Sequence, residues 1–324
     1  MSERIGIAVA GSILVDQINE IAAYPSAGEL TQIRRVQKAV GGCVPNVAID
    51  LVRLDPTLTV KAVGRIGKDE EGEFVKTVLS ENGVDVSPLT VSDDKTSFTQ
   101  VMSVSGGQRT FFTYAGACAE FGKADVDLEA LNVKMLHLGY FLLLEQIDKG
   151  EGVEILKRAC EMGIKTSIDL VSENSDRYSL VLPCLPYTDN LIINELEAGQ
   201  LTGIEPKREN LRAIAEKLME LGVRERVIIH MKDLGLCLSK RGFTVFGAYD
   251  VPRSWIKGTT GAGDAFCAGA LLGIYQNRSD EEILDLASVS AIGALSAPDA
   301  ISGMRTESEL IELCKNVKRY EICL

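Results

Sequence analysis

The chain has 324 residues, of which 46% are hydrophobic and 25% are charged. This composition is typical of a globular protein, and the length allows one large α/β domain or two smaller ones. The formal net charge is −12, from 34 basic and 46 acidic side chains, and the basic residues form no cluster. This balance argues against nucleic acids and membrane surfaces as partners, so an anionic ligand must be held by local positive potential.

Cysteine and histidine usage gives no indication of a metal or disulfide framework. None of the eight cysteines forms a C-x-x-C pair, so buried free thiols in a reducing compartment are predicted. His137 and His230 lie in apolar, strand-like runs, which predicts hydrogen-bonded core histidines rather than zinc ligands. The sequence has no signal peptide and no apolar run of membrane-spanning length, so a cytoplasmic protein is expected.

The first third of the chain mixes strand-like and helical patterns. A pair of glycines opens a segment with helical apolar spacing, and a later glycine turn precedes an amphipathic helix. In chain order the segments are a strand at Ile5–Ala10, the glycine pair Gly41 and Gly42, a helix over Asn46–Leu54, a strand at Thr59–Val63 and the turn and helix within 63–85.

The middle of the chain alternates strands with amphipathic helices, which is typical of a parallel sheet covered on both faces. The predicted strands are 135–141, 164–171, 189–195 and 226–232, with helices at 151–163 and 210–222 between them. A hairpin of strands at 235–240 and 243–249 follows, and two helices, Asp264–Tyr275 and Glu281–Leu295, close the chain. The predicted fold class is therefore α/β with a central, mostly parallel sheet.

Two polar, alternating regions do not fit this parallel core. They lie at about Leu30–Gln37 and Phe98–Tyr114, and the second contains two strand-like runs on either side of SGGQ at residues 105–108. That tetrapeptide is predicted to be a hairpin turn. The two regions form either a small sheet that projects from the core or an ordinary antiparallel edge.

The segment KGTTGAGDAF, at 257–266, has the features of an anion site. An apolar helix is predicted to begin near Asp264, which puts Gly261, Ala262 and Gly263 at its entrance. Main-chain N–H groups there lack partners within the helix, and the helix dipole adds positive potential. Small side chains let a ligand approach closely, so a phosphate fits this position.

Asp264 adds a carboxylate beside that site. A helix N-terminus stabilises an ionised carboxylate, so Asp264 is expected to be available as a base that accepts a hydroxyl proton during attack on phosphorus. The alternative is that Asp264 only caps the helix, and the spacing does not separate the two readings. A P-loop is excluded because no lysine follows Gly263, and a dinucleotide fingerprint is excluded because Phe266 replaces its last glycine.

Several motifs together resemble the ribokinase-like, or PfkB, carbohydrate kinases. TTGAGD followed by an apolar helix resembles the second signature of that family, and GGCVPNVAIDLVRL resembles the first. VGRIGKDEEGEFV, GSILVD and NELEAGQLTG resemble its glycine-and-aspartate turn, its first substrate loop and its N-x-x-E motif. The matches occur in family order over nearly the whole chain, and their combination is specific.

The resemblance implies ATP-dependent phosphorylation of a hydroxyl on a sugar or sugar-like substrate. It makes Asp264 the catalytic base, with Gly261, Ala262 and Gly263 as the anion hole. The residues that it assigns to substrate hydroxyls are Asp16, Gly42 and Asn46. Carboxylate and amide groups suit that task because they discriminate against analogues that lack a hydroxyl. The alternatives are a turn role for Asp16 and a helix cap for Asn46.

The resemblance also implies a nucleotide and magnesium site. Asn194 and Glu197 match N-x-x-E, which organises Mg²⁺ and phosphate in the family, and Glu197 is expected to act on the metal through water. The alternative is that Asn194 caps the following helix and Glu197 lies on its solvated face. Further nucleotide contacts are assigned to Thr260 and Gly235. Lys232 stands where many members of the family have glycine in a nucleotide-binding loop, and it could contact an ATP phosphate as a point charge or be solvated.

One departure concerns a monovalent cation. The family often has Asp where this sequence has Gly258, and that carboxylate helps to form a monovalent-cation site. The departure leaves K⁺ activation open.

The two alternating regions, about 12–40 and 96–115, would form the family's lid within one domain over 1–324. The lid closes over the substrate, excludes water and often mediates dimerisation, so a homodimer is a candidate assembly. Arg109 reads as a solvated lid residue that could reach an anionic group. The absence of an arginine cluster favours an unphosphorylated substrate.

Two other functions stay open. A nucleoside kinase of the same superfamily would need aromatic stacking, for which Tyr140, Phe141 and Phe112 are candidates and core packing is the alternative. A sugar-binding regulatory protein on the same fold would have lost turnover, although a pure binder needs no base.

Overall fold

The computed structural model describes residues 3–104 and 109–322, so the predicted SGGQ turn lies outside the described residues. The strands are β1 Ile7–Gly11, β2 Leu14–Ile21, β3 Ile33–Gly41, β4 Val60–Val63, β5 Arg65–Gly67, β6 Thr90–Ser92, β7 Ser97–Val104, β8 Arg109–Tyr114, β9 Met135–Phe141, β10 Lys165–Leu170, β11 Asn190–Asn194, β12 Arg226–His230, β13 Leu234–Ser239 and β14 Gly242–Gly247. The α-helices are α1 Cys43–Leu54, α2 Glu70–Glu81, α3 Gly116–Ala119, α4 Leu128–Leu131, α5 Gly152–Glu161, α6 Glu195–Thr202, α7 Leu211–Glu220, α8 Ala262–Tyr275, α9 Asp280–Leu295 and α10 Glu307–Cys314.

The central sheet has eight strands in the order β14-β13-β12-β11-β10-β9-β1-β4. The six strands from β12 to β4 pair in parallel, and β13 and β14 form an antiparallel hairpin at the other edge. Alternate residues of β1 belong to different hydrophobic clusters, one that includes α1, α8 and α9 and one that includes α5 and α7. Helices therefore cover both faces, and the predicted fold class is confirmed.

A second sheet lies outside this core, with four strands in the order β3-β2-β7-β8. β2 pairs in parallel with β7 and antiparallel with β3, and β7 and β8 form the predicted hairpin. All six residues of β8 are exposed. The reading of these regions as a small projecting sheet is thus confirmed, and the reading as an edge of the core is wrong.

Two details of the C-terminal region differ from the prediction. α8 begins at Ala262, two residues before the predicted start, because Gly261 takes a left-handed φ of 77° as its N-cap. A third closing helix, α10, follows the two that were predicted. It has only eight residues, and its short apolar stripe, buried at Leu310 and Cys314, gives little periodic signal. No helix among residues 3–104 and 109–322 is both long and apolar enough to cross a bilayer.

The topology brings several chain ends to one place. The carboxyl ends of parallel strands lie at the same edge of a sheet, and ligands of open α/β sheets bind there. Here the ends of β9, β10, β11 and β12 meet the start of α8 around one cavity.

Candidate active site

The cavity at the carboxyl edge of the sheet has a volume of about 180 Å³. It is smaller than a typical pocket for a whole ligand, so it suits reacting groups rather than entire substrates. Its lining includes no lysine or arginine among the described residues. The lining residues are Tyr140, Asp169, Leu170, Val171, Ser172, Ile192, Asn194, Glu197, His230, Gly261, Gly263, Asp264 and Cys267.

The start of α8 provides main-chain N–H groups to this cavity. Gly261 makes no side-chain cap, and a Cβ on it would lie 2.5 Å from the Cβ of Ala300, so both its conformation and its surroundings require glycine. Ala262 N donates only a long bond, 3.4 Å, to the carbonyl of Thr259. Gly263 is exposed. The predicted anion hole therefore has the geometry of an uncapped helix N-terminus.

Asp264 is the third residue of α8, and it is not the helix cap. Its side chain is 6% exposed and faces the cavity. Oδ2 accepts hydrogen bonds from Nδ2 of Asn46 at 2.9 Å and from the hydroxyl of Tyr140 at 3.0 Å. Among the described residues no donor is bonded to Oδ1. Two neighbours thus fix one carboxylate oxygen, and the other is available to a ligand.

The protonation of Asp264 differs from the prediction. The helix end was expected to keep the carboxyl ionised, but burial, together with the nearby charge of Asp169, raises its pKa from 3.8 to about 7. The hydrogen bonds from Asn46 and Tyr140 act in the opposite direction and lower the pKa. Burial dominates because desolvation disfavours the charged form, and it follows from tertiary packing rather than from local sequence.

Asn194 and Glu197 form a reciprocal capping box at the start of α6. Asn194 Oδ1 accepts from the Glu197 main-chain N–H at 2.9 Å, and Glu197 Oε2 accepts from the Asn194 N–H at 3.1 Å. Ser172 ties them together, since it donates to Glu197 Oε1 and accepts from Asn194 Nδ2, both at 2.7 Å. Glu197 is 4% exposed and lines the cavity, so the predicted cap exists but the solvated face does not.

Burial raises the pKa of Glu197 to about 7, against the lowering effect of its bonds to Ser172 and Asn194. Three carboxyl groups, Asp169, Glu197 and Asp264, therefore share one cavity whose described lining contains no lysine or arginine. Such a donor set suits a hard dication.

Of the predicted substrate residues, Asn46 contacts Asp264 at the cavity, whereas Asp16 and Gly42 lie within and next to strands of the small sheet. Asn46 is in the fourth position of α1, not at its cap, and its buried Oδ1 has no hydrogen-bond partner among the described residues. Gly42 is the N-cap of α1 with a φ of 88°. Asp16 lies within β2 rather than in a turn, and burial raises its pKa to about 6. Buried polar atoms without partners are the groups that a ligand hydroxyl satisfies.

Thr260, Lys232 and Gly235, which were assigned to the nucleotide, do not line the cavity. Thr260 and Lys232 are exposed, Thr260 just before α8 and Lys232 in the turn between β12 and β13. Gly235 is buried in β13, where a Cβ would lie 3.3 Å from Leu284 and 3.4 Å from Phe266. Gly235 is not among the residues that line the cavity, and it packs closely against α8 and α9. The predicted strand over 235–240 is present, and the nucleotide contact at Gly235 stays a prediction.

Gly258, the departure from the family pattern, lies against main-chain carbonyls. A Cβ there would be 2.8 Å from the oxygen of Ala297 and 2.9 Å from that of Pro298. A side chain at this position requires the loop to shift.

The cavity residues that were not predicted as site residues include Asp169, Tyr140 and His230. Asp169 lies near the end of β10. Tyr140 was considered only as an aromatic residue that could stack on the base of a nucleoside. His230 stacks on Phe266 with ring centroids 4.7 Å apart, and burial lowers its pKa to about 4, so it is neutral at pH 7. The only sequence signal for all three is their position at strand ends. These strand ends are known to be neighbours only once the order of the strands in the sheet is known.

These features define a ribokinase-like fold. The structure of Arabidopsis thaliana ribokinase complexed with ribose and ATP matches with a TM-score of 0.83 at 24% identity, over 96% of this chain and 99% of that one. A ribokinase from Thermotoga maritima matches with a TM-score of 0.81 at 21% identity, over 96% and 100%.

The chain belongs to the pfkB family of carbohydrate kinases, whose family model matches residues 5–307. Its relatives include a ribokinase of Arabidopsis thaliana, 26% identical over 317 residues, 95% of this chain and 81% of that protein. Fructokinase-1 of Oryza sativa subsp. japonica is 26% identical over 325 residues, 94% and 96% of the two chains. The predicted enzyme class, a phosphotransferase with an alcohol acceptor, is confirmed.

Proposed function

We propose that this protein transfers the γ-phosphoryl group of ATP to a hydroxyl of an unphosphorylated sugar. The observation that carries the proposal is the pairing of the free oxygen of Asp264 with the uncapped start of α8. A base and an anion site are thereby adjacent on one helix turn. Relatives that carry the names ribokinase, fructokinase and 5-dehydro-2-deoxygluconokinase support a sugar acceptor but do not select one.

In this mechanism Asp264 Oδ1 accepts the proton of the acceptor hydroxyl as its oxygen attacks the γ-phosphorus. Asn46 and Tyr140 hold Oδ2, which fixes the direction of Oδ1. The N–H groups of Gly261, Ala262 and Gly263 stabilise charge on the transferring phosphoryl oxygens, and they need no reorganisation because the helix holds them in place. Catalysis of phosphoryl transfer consists chiefly of such positioning and charge stabilisation.

Magnesium fits the oxygen donors at the start of α6, which line the same cavity. Oxygen donors from Asn194 and Glu197 would hold it, Glu197 through water, and Thr260 and Lys232 would contact the rest of the nucleotide. When bound, Mg²⁺ would neutralise negative charge on the phosphates. Ser172 keeps the carboxylate of Glu197 oriented towards the cavity. Gly258 supplies no carboxylate oxygen, so this position adds no support for K⁺ activation.

The acceptor hydroxyls would bind to Asp16, Asn46 and the main chain at Gly42. The unpartnered Oδ1 of Asn46 supports this assignment, because a hydroxyl donor would satisfy it. The four-stranded sheet, over about 12–40 and 96–115, would close on the substrate as a lid and exclude water.

The test is an ADP-release assay with MgATP over a panel of sugars and nucleosides, run beside Asp264→Asn. Turnover with a sugar that disappears in the variant supports the proposal. Turnover restricted to nucleosides would support a nucleoside kinase. Tight sugar binding without turnover by the native protein would support a non-catalytic binder.

The lid also supports a homodimer. The strand register places Val36 and Phe112 on the face of the small sheet opposite to Asp16. Val36 pairs with Asn19, and Phe112 pairs with Gln100, which pairs with Gln17. Asn19 and Gln17 are an odd number of residues from Asp16 along β2, so they point to the other face. The side chains of Val36 and Phe112 are at least 60% exposed. Exposed apolar side chains on one face of a projecting sheet are suited to pairing with a second copy.

A further inference from the structure

Three buried side chains meet below the catalytic cavity. His137 from β9, Asp169 from the end of β10 and Cys267 from α8 place one ligand atom each within 4.8 Å of one another. His137 Nε2 is 3.5 Å from Asp169 Oδ2 and 3.7 Å from Cys267 Sγ. We propose that they form a binding site for a transition-metal dication of the zinc type, separate from the magnesium that accompanies ATP.

The two distances from His137 Nε2 fit one tetrahedral ion. With Zn–N and Zn–O bonds of about 2.0–2.1 Å and a Zn–S bond of about 2.3 Å, tetrahedral angles give N···O of about 3.3 Å and N···S of about 3.6 Å. The two distances at His137 are within about 0.2 Å of these values. A donor set of imidazole, thiolate and carboxylate selects zinc over magnesium or calcium, which prefer oxygen alone.

Neighbouring polar groups orient two of the three ligands. His137 Nδ1 lies 3.2 Å from Ser167 Oγ, an acceptor that favours the tautomer with a free Nε2. Asp169 Oδ1 accepts the main-chain N–H of Tyr140 at 2.6 Å, which leaves Oδ2 towards the cluster. Metal-binding histidines typically donate their other ring N–H in this way.

The surroundings of the cluster favour a cation, and the cavity gives an ion access to it. Asp169 is 7% exposed, and among the described residues the one basic side chain within 4 Å of its carboxylate is His137. Asp169 and Cys267 line the cavity, so an ion enters from there and keeps its fourth position for water. The ion displaces the thiol proton of Cys267, which leaves through the cavity.

The sequence argued against zinc because its possible ligands are far apart along the chain. The fold removes that objection, since β9 and β10 are neighbours in the sheet and α8 packs against their ends. A bound dication would also lie close to Asp264 and weaken it as a base. Inhibition by Zn²⁺ at saturating Mg²⁺ follows, although that consequence, unlike the site itself, rests on the proposed function.

The experiment uses the full-length, metal-free protein without nucleotide or sugar. Zn²⁺ is titrated by calorimetry, and Co²⁺ serves as a spectroscopic probe for thiolate ligation. We expect one ion per chain and a sulfur-to-cobalt charge-transfer band. Loss of an outer-shell partner costs about 10–100-fold in affinity, so Ser167→Ala should weaken binding about 10-fold and Cys267→Ala at least about 100-fold, with loss of the band.

Cys184→Ala is the matched control, because Cys184 is also a buried free cysteine but lies outside the cluster. It should leave binding unchanged, and the melting temperatures of all variants verify that they fold. Absence of the cobalt band, or equal Zn²⁺ affinity in the native protein and Cys267→Ala, overturns the proposal and leaves a hydrogen-bonded core cluster. Neither result bears on kinase activity, so this test and that of the proposed function fail independently.

Discussion

The hydroxyl of Tyr140 donates a hydrogen bond of 3.0 Å to Oδ2 of Asp264, and the backbone of Tyr140 has a left-handed φ of 60°. The same residue donates its main-chain N–H to Asp169 Oδ1. A bulky residue with positive φ is strained by roughly 1–3 kcal/mol, and such strain persists where the surroundings hold it. Tyr140 therefore connects two carboxyl groups of the cavity and sets the orientation of the proposed base.

The first prediction concerns Tyr140→Phe, which removes one of the bonds that lower the pKa of Asp264. Asp264 must be deprotonated to act as a base, so kcat/KM should fall as pH drops below about 7. In Tyr140→Phe the pKa rises further, and this acidic limb should move upward by about one pH unit. The measurement is kcat/KM from pH 5 to 9.

Tyr275→Phe is the control, since its hydroxyl accepts a bond from the Gly6 main chain and is remote from the cavity. An acidic limb that does not move in Tyr140→Phe would show that the phenol does not tune the base.

The second prediction separates the activity of Asp264 from its effect on stability. Asp264→Asn should keep ATP binding and lose nearly all phosphoryl transfer, because the amide cannot accept the hydroxyl proton. Retained native activity would remove Asp264 from the role of base.

The same variant should be more stable than the native protein at high pH. The folded pKa of Asp264, about 7, exceeds the ordinary value of 3.8, so the folded state binds more protons between these values. Stability is therefore lost as pH rises through this window, by up to about 4 kcal/mol, and asparagine avoids the loss. The gain in free energy of unfolding should grow from pH 4 to 7 and then level off. A gain independent of pH would contradict the raised pKa.

The fold could be predicted because its signals are repetitive and local. Strand–helix alternation over 135–232 and the glycine-rich entrance to α8 each specify an element from adjacent residues. The order of the strands in the sheet was not predicted, because periodicity does not contain it. The start of α8 at Ala262 was not predicted, because Gly261 and Ala262 give no apolar periodicity.

The chemistry of the site was less predictable, because it depends on which chain segments become neighbours. Asn46 and Asp264 are 218 residues apart in sequence, yet their side chains are 2.9 Å apart. The protonation of Asp264 depends on burial and on Asp169, and neither is visible around residue 264. Tyr140 was missed for the same reason.

The third prediction concerns substrate affinity. Asn46→Ala removes the buried Oδ1 that the proposed acceptor hydroxyl would satisfy, and it leaves that hydroxyl unpaired. We expect a loss of roughly 1–3 kcal/mol, seen chiefly as a higher KM for the sugar. The comparison of KM for sugar and ATP is the measurement. An unchanged KM for the sugar would argue that Asn46 serves only Asp264.

The fourth prediction addresses the proposed lid dimer. Val36→Glu and Phe112→Glu place charges on the face opposite Asp16 and should shift the protein to monomers in sedimentation velocity. Ile311→Glu is the control, because Ile311 is an exposed apolar residue on α10, outside the lid. A native protein that sediments as a monomer, or variants that remain dimeric, would exclude this interface.

The fifth prediction concerns Asp50, a buried carboxyl on α1 with no hydrogen-bond partner for either oxygen among the described residues. Burial and the charge of Asp264 raise its pKa well above the ordinary 3.8. The folded state therefore keeps a proton that the unfolded chain releases near pH 4, and stability falls as pH rises above about 4. Asp50→Asn should remove this loss and raise the melting temperature at pH 7 more than at pH 4.

Asp93→Asn provides the comparison, since Asp93 is exposed and should give no such pH-dependent gain. If Asp50→Asn instead lowers the melting temperature at neutral pH, the carboxyl must have a partner in solution, with a buried water as the first candidate. Asp50 is one helical turn beyond Asn46. The KM of Asp50→Asn for the sugar therefore shows whether the partner of Asp50 also belongs to the substrate site or contacts Asp50 alone. A raised KM together with lower stability identifies the shared partner.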